Sequence, residues 1–167
     1  MNGQMDLVVG LVALNGGQVV GKTRLQKLAY LLEVCGMSSG LEFEYHNYGP
    51  FSSELAREAD FAVGAGMLTV ESQTGFHEVP YTVFTTKHPA PARLGQLAAE
   101  NARQKLSIMQ KYSALDLEIA ATLDWFRDSS SDRGEINDRV VGLKPVKATP
   151  VRLERGWQLL SELGLAN

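Results

Sequence analysis

The chain has 167 residues, 44% hydrophobic and 21% charged, with 16 Lys and Arg against 19 Asp and Glu and a formal net charge of −3. That composition suffices for one globular core and excludes both a disordered chain and a protein that binds polyanions through bulk charge. The single cysteine, Cys35, excludes an internal disulfide framework and a cysteine-rich zinc site.

The best apolar run, Leu7 to Leu14, is shorter than the ~20 residues of a membrane helix and has no basic residue before it. A cytoplasmic protein without membrane contact is therefore expected. In chain order, Met5, Val8, Val9, Leu11 and Val12 recur at helical spacing and predict a first helix, ended by Asn15-Gly16-Gly17. A second helix is predicted from Thr23 to Val34, with Leu25, Leu28, Ala29 and Leu32 inward. Arg24, Lys27 and Glu33 fall outside that stripe.

Phe43 to Tyr48 alternates like a short strand, and Tyr45 and Tyr48 are expected on one face with His46 on the other. Gly49-Pro50 breaks it, and Ser52 is the expected N-cap of a third helix with Leu55, Ala59, Ala62 and Val63 buried. Met67–Glu71 and Tyr81–Thr86 predict a β-hairpin with a long tip. Pro89-Ala90-Pro91-Ala92 marks a hinge, and helices are expected over 93–112, 115–127, 134–143 and 150–164. Thr149-Pro150 supplies the last of these with a cap and a proline at its first position. The predicted fold is α+β and mostly helical. It has a winged-helix-like core of three helices plus a β-hairpin over 1–90, and a C-terminal helical extension over 91–167 packed on it as one unit.

One motif looks like chemistry. Gly16 to Thr23 fits G-x-x-x-x-G-K-[ST], in which backbone N–H groups cradle phosphates, the lysine reaches the outer phosphates and the threonine holds magnesium. Such a loop must follow a buried parallel strand with sibling strands linked by helices. Here a helical pattern precedes it and the β-like segments form a hairpin. A glycine turn leading into the second helix, with Lys22 exposed, is the expected reading; a nucleotide-binding enzyme is the competing one.

Three blocks carry a family resemblance. Lys22-Thr23-Arg24-Leu25-Gln26-Lys27-Leu28-Ala29-Tyr30-Leu31-Leu32 resembles the opening "LQKL" helix of the SocA-like (Panacea) antitoxin domain and, more closely, of YwgA-like bacterial proteins. Tyr45-His46-Asn47-Tyr48-Gly49-Pro50-Phe51-Ser52-Ser53-Glu54-Leu55 is similar to their "YGPFS.EL" block. The third is Leu115 to Leu123, followed by Leu143-Lys144-Pro145. The resemblance implies a winged-helix-like core, no catalytic activity and no cofactor. It also implies a protein partner, either a toxin to be neutralised or another regulated target, in one known case handed on to a protease.

DNA is the alternative partner. Residues 1–90 hold five basic against nine acidic side chains. The third helix, which would enter a groove, carries Glu54, Glu58 and Asp60 against Arg57, and repels phosphates. Lys22, Arg24 and Lys27 form the only small basic cluster of that half, with 24 and 27 neighbours on a helix. Protein docking is therefore expected near Tyr48-Gly49-Pro50 and the third helix, with Glu54, Arg57, Glu58 and Asp60 as its exposed part. His46, His77 and His88 are too widely placed for a metal site, and Cys35, beside Glu33, lacks the electropositive setting of a reactive thiol.

Overall fold

The computed structural model describes residues 3–75 and 78–166. Helix α1 (Gly3–Leu14) is buried along Leu7, Val8, Val9, Gly10, Leu11, Val12 and Leu14, so it runs through the core and does not merely line it with one face. Gly16 and Gly17, at φ +81° and +85°, turn the chain out of it.

The next three residues form strand β1 (Gln18–Val20), which the sequence reading treated as part of a turn. Its pairing explains it. β1 runs antiparallel to β5 (Pro80–Thr85), with Val19 opposite Phe84, and β5 pairs in turn with β4 (Thr69–Thr74), giving the sheet order β1-β5-β4. The interior of the phosphate-loop-like motif is thus an extended antiparallel strand preceded by a helix. Gly21, at φ +100°, then opens helix α2 (Lys22–Leu32), and Lys22 is exposed as expected.

After one π-helical turn (Glu33–Met37), strands β2 (Glu44–His46) and β3 (Gly49–Phe51) make a hairpin with Asn47-Tyr48 as its two-residue loop. Helix α3 (Ser53–Gly64) starts where the sequence places it, with Ser52 Oγ accepting from Leu55 N–H at 3.1 Å. Together α1, α2, α3 and the three-stranded sheet form the expected three-helix-plus-hairpin core. Of the predicted hairpin tip, Phe76 and His77 lie outside the described residues.

The second half differs in one place. Helix α4 covers Ala99–Met109 and does not begin at 93; β6 (Arg93–Leu94) and β7 (Leu97–Ala98) pair first as a minimal hairpin. Leu94 and Leu97 have helical spacing, but Gly95 sits at φ +57° and Gln96 N–H donates to the Met37 carbonyl at 2.7 Å, which fixes a tight turn there.

Helix α5 (Ala114–Phe126) is the central helix of this half. Ser113 caps it reciprocally with Asp116, and it packs on α2, on β3, on α6 (Arg133–Leu143) and on α7 (Pro150–Glu162). Gly156 of α7 allows the α5–α7 approach, since a Cβ there would come within 2.8 Å of a Leu123 methyl. Thr149 caps α7 through its side chain, as predicted. Among the described residues no helix is long and apolar enough to cross a membrane.

Candidate functional site

The three motif blocks, far apart in sequence, meet at the β2–β3 turn. Gln26 and Lys27 of α2 are buried, and each grips the turn's backbone. The Gln26 amide donates to the Ser52 carbonyl at 2.9 Å and accepts from Ser52 N–H at 2.8 Å. Lys27 Nζ donates to the Pro50 carbonyl at 2.5 Å. From the far side Lys144 Nζ donates to the Asn47 carbonyl at 2.8 Å. Gly49, at φ +90°, faces α5 so closely that a Cβ would lie 2.8 Å from Thr122 Oγ1. The hairpin and the residue after it are thereby held by hydrogen bonds from Gln26, Lys27 and Lys144 and by the close contact of Gly49 with Thr122.

Beneath it lies a buried charge cluster. The Glu118 side chain is 2% exposed and meets Lys144 Nζ at 3.6 Å and Lys147 Nζ at 3.2 Å. Lys27 feels the same carboxylate: burial lowers its ammonium to a pKa of about 8, opposed by the attraction of Glu118 and reinforced by Lys144 and Lys147. Burial also lowers Lys144, against the pull of Glu118. Three lysines thus share one carboxylate, and a buried group of that kind fixes geometry better than it adds stability.

The cluster presents Tyr48. Tyr48 is 57% exposed, and Lys147 Nζ sits over its ring, 4.4 Å from the centroid. Tyr45 points the other way, packed at 5.4 Å from the Phe126 ring and 6.4 Å from Trp125, with its hydroxyl pKa raised by burial and by Glu118. The two tyrosines do not share a face: they are three positions apart, which alternation with period two puts on opposite sides, and Tyr48 stands in the two-residue loop and not in the strand. His46 stacks on Phe51 at 4.7 Å.

A cavity of about 370 Å³ opens between α2 and α3, and Tyr48, Asp60, Lys22 and Lys27 all line it. Two of the residues expected to form a docking surface, Tyr48 and Asp60, thus lie beside two of the basic cluster, Lys22 and Lys27, and the others fall elsewhere. Gly49 and Pro50 are buried, so they shape the turn and offer no contact themselves. Glu58, at 4% exposure, belongs to the buried side of α3; Glu54 is half-buried, and Arg57 and Asp60 are exposed beside Phe61.

Lys27 is 1% exposed and not on a solvated face; α2 is buried continuously from Leu25 to Leu32, because sheet, turn and α5 enclose it. Arg24 is half-buried and donates to the Tyr112 carbonyl at 2.8 Å. Of the three cations only Lys22 faces solvent freely. Glu118, Thr122, Lys144 and Lys147 are the site residues that sequence reasoning missed as such. The signal available for three of them was their place in the motif blocks, Glu118 and Thr122 within Leu115–Leu123 and Lys144 before Pro145; Lys147 lies outside the blocks.

A second buried network is structural. Tyr30 hydroxyl donates to Asp124 Oδ2 at 2.6 Å, and Arg127 binds Asp124 Oδ1 through Nε and Nη2 at 2.9 and 2.7 Å. Burial and Asp124 raise the Tyr30 pKa, so it stays a proton donor. Cys35 is half-buried, and burial raises its thiol. Among the described residues no group of three or more His, Cys, Asp and Glu gathers as metal ligands do.

No family model matches the chain. It is similar to the protein named "Uncharacterized protein YwgA" of Bacillus subtilis (strain 168), with 24% identity over 152 residues that cover 89% of this chain and 90% of that protein. This end-to-end likeness supports kinship with YwgA-like proteins, the closer of the two resemblances carried by the motif blocks.

Proposed function

We propose that the chain is a non-catalytic protein-interaction module of the antitoxin, proteolytic-adaptor or regulatory kind, docking its partner on Tyr48 and the exposed side of α3. One observation carries the reading: a half-exposed aromatic ring stands on a turn immobilised by Gln26, Lys27, Lys144 and the Gly49–α5 contact. Interface energy concentrates in aromatic anchors that lose little conformational entropy on binding, and rigid support lowers that loss further. Phe61, 55% exposed on α3 beside Arg57 and Asp60, extends the surface.

DNA binding is the second reading, favoured by the three-helix-plus-hairpin connectivity. It has the weaker support, because the described residues of the β4–β5 hairpin carry Glu71 and Glu78 and no Lys or Arg, and phosphate contacts dominate such affinity. A nucleotide-binding enzyme comes third, since Gly16 to Thr23 is occupied by β1 and the start of α2.

The test is affinity purification of the tagged protein from its native host, beside a Tyr48→Ala variant of unchanged melting temperature. A stoichiometric protein recovered with the wild type and lost with the variant supports docking on this surface. A partner retained by both places the interface elsewhere. Nucleic acid recovered without protein overturns the reading in favour of DNA.

A further inference from the structure

The cavity between α2 and α3 has chemistry that the docking surface does not use. Its walls are apolar and come from four elements: Leu25 of α2, Phe51 of β3, Ala56 and Ala59 of α3, and Phe84 of β5. Its size, about 370 Å³, falls in the range of small-ligand sites.

The charge around it is one-sided. Lys22 and Lys27 line it against Asp60 alone, and Lys144 and Lys147 stand behind Lys27 with only Glu118 as counterion. Gln26 also lines it, with its amide oxygen and one amide N–H bound to Ser52. Lys27 lines it from within the wall, its ammonium tied to the Pro50 carbonyl and closed off from solvent. It acts on the cavity through its charge, which favours a ligand that brings negative charge over a neutral one.

We propose that this cavity is a binding site for a small organic acid, with an aromatic or branched body between Leu25, Phe51 and Phe84 and its carboxylate on the exposed Lys22, at the end of the cavity that the buried charge of Lys27 makes electropositive. The body gains from leaving water against preformed apolar walls. The carboxylate meets Lys22 directly and feels the buried cation surplus behind it through the protein. No partner protein is needed for this binding, so it stands or falls separately from the docking reading.

The probe is phenylpropionate, titrated into the full chain and followed by the amide signals of α2, Phe51 and Phe84 in heteronuclear NMR. Saturable shifts confined to these residues are expected, with a Kd on the order of 1 mM or below, typical of so small a ligand. The neutral isostere phenylpropionamide should bind at least about tenfold more weakly. Lys22→Ala, at an exposed position, should weaken the acid severalfold without altering the fold, and Ala56→Phe should fill the cavity and abolish the shifts.

Equal binding of acid and amide would overturn the proposal, as would absence of these shifts at about ten times that concentration. A short peptide ending in phenylalanine that binds more than about tenfold tighter than phenylpropionate, and loses this on C-terminal amidation, would overturn it in favour of a pocket for a partner's chain end.

Discussion

Lys27 Nζ lies 2.5 Å from the carbonyl oxygen of Pro50, inside the protein, with the lysine side chain closed off from solvent. A cation is seldom placed there unless something specific holds it. Here its aliphatic stem packs in α2 while its head ties the "LQKL" block to the "YGPFS" block. Replacing Lys27 by Ala removes the stem as well as the bond and leaves the Pro50 carbonyl buried without its donor. A loss of about 2–4 kcal/mol is expected in urea unfolding. Lys27→Met keeps the stem, so its loss should be smaller, about 1–2 kcal/mol.

The same lysine sets a pH dependence. Its folded pKa, about 8, is below the ordinary 10.5, so between these values the unfolded chain binds a proton that the folded chain has released. Stability must then rise with pH through that window. The groups facing Lys27 are Glu118 of α5 and Lys144 and Lys147 of the segment after α6; Lys144 is lowered too and adds in the same sense. Tyr30, Tyr45 and Tyr112 act oppositely, because their raised pKa values make the folded chain hold protons above pH 10 that the unfolded chain has lost. Urea midpoints should therefore climb from about pH 8, reach a maximum near pH 10 and fall beyond it. Lys27→Met should flatten the climb and leave the fall; a midpoint that drops steadily from pH 8 would contradict this assignment.

Glu118 is the single countercharge for three lysines, and Glu118→Gln strips it while preserving shape. Leaving buried cations uncompensated should cost about 3–5 kcal/mol. Lys144→Met should cost less, since Lys147 still meets the carboxylate at 3.2 Å, although the Asn47 carbonyl loses its donor. The Glu118→Gln, Lys144→Met double variant should recover part of the sum, and a double-mutant cycle in urea measures the coupling.

Gly49→Ala tests the turn itself. A side chain at φ +90° is strained by about 1–2 kcal/mol, and the new methyl would also collide with Thr122 Oγ1. A loss above about 2 kcal/mol is expected. Adding Thr122→Ala removes the collision and leaves the strain, so thermal denaturation should show partial rescue and not full recovery. Full recovery would mean that the left-handed backbone is not required.

What the sequence reveals of this architecture follows the range of the interactions involved. Ser52 and Thr149 are legible as caps because a cap is a local device, completed within three residues. The three helices and the main hairpin are legible from periodicity. β1 is not: three residues inside a glycine-rich stretch carry no period, and only their pairing with β5 makes them a strand. Leu94 and Leu97 mislead for the opposite reason, since helical spacing recurs there by chance across a two-strand hairpin.

The site is the least legible part. Periodicity counts Lys27 as polar and therefore outward, while its actual partners, Pro50 and Glu118, are distant in sequence and carry no spacing rule. The motif blocks mark the right residues without saying that they touch. Their meeting at one turn is a tertiary fact, and so is the burial of Glu58 on a helix whose acidic residues looked alike.

Tyr48 separates support from contact. The residue is 57% exposed, and the Lys147 ammonium sits 4.4 Å from its ring centroid. Truncation to Ala removes a cation–π contact worth about 0.5–1 kcal/mol at such a site, and little else of the fold. Tyr48→Ala should therefore melt within a few degrees of the wild type, unlike Gly49→Ala one position later. If the ring is an interface anchor, the same variant should weaken partner binding by about 2 kcal/mol or more, roughly thirtyfold in Kd by calorimetry. Tyr48→Phe should keep most of that affinity, because the apolar ring and its rigid support remain. An unfolded Tyr48→Ala variant would place the residue among the supports of the turn, and a folded one with unchanged affinity would remove it from the interface.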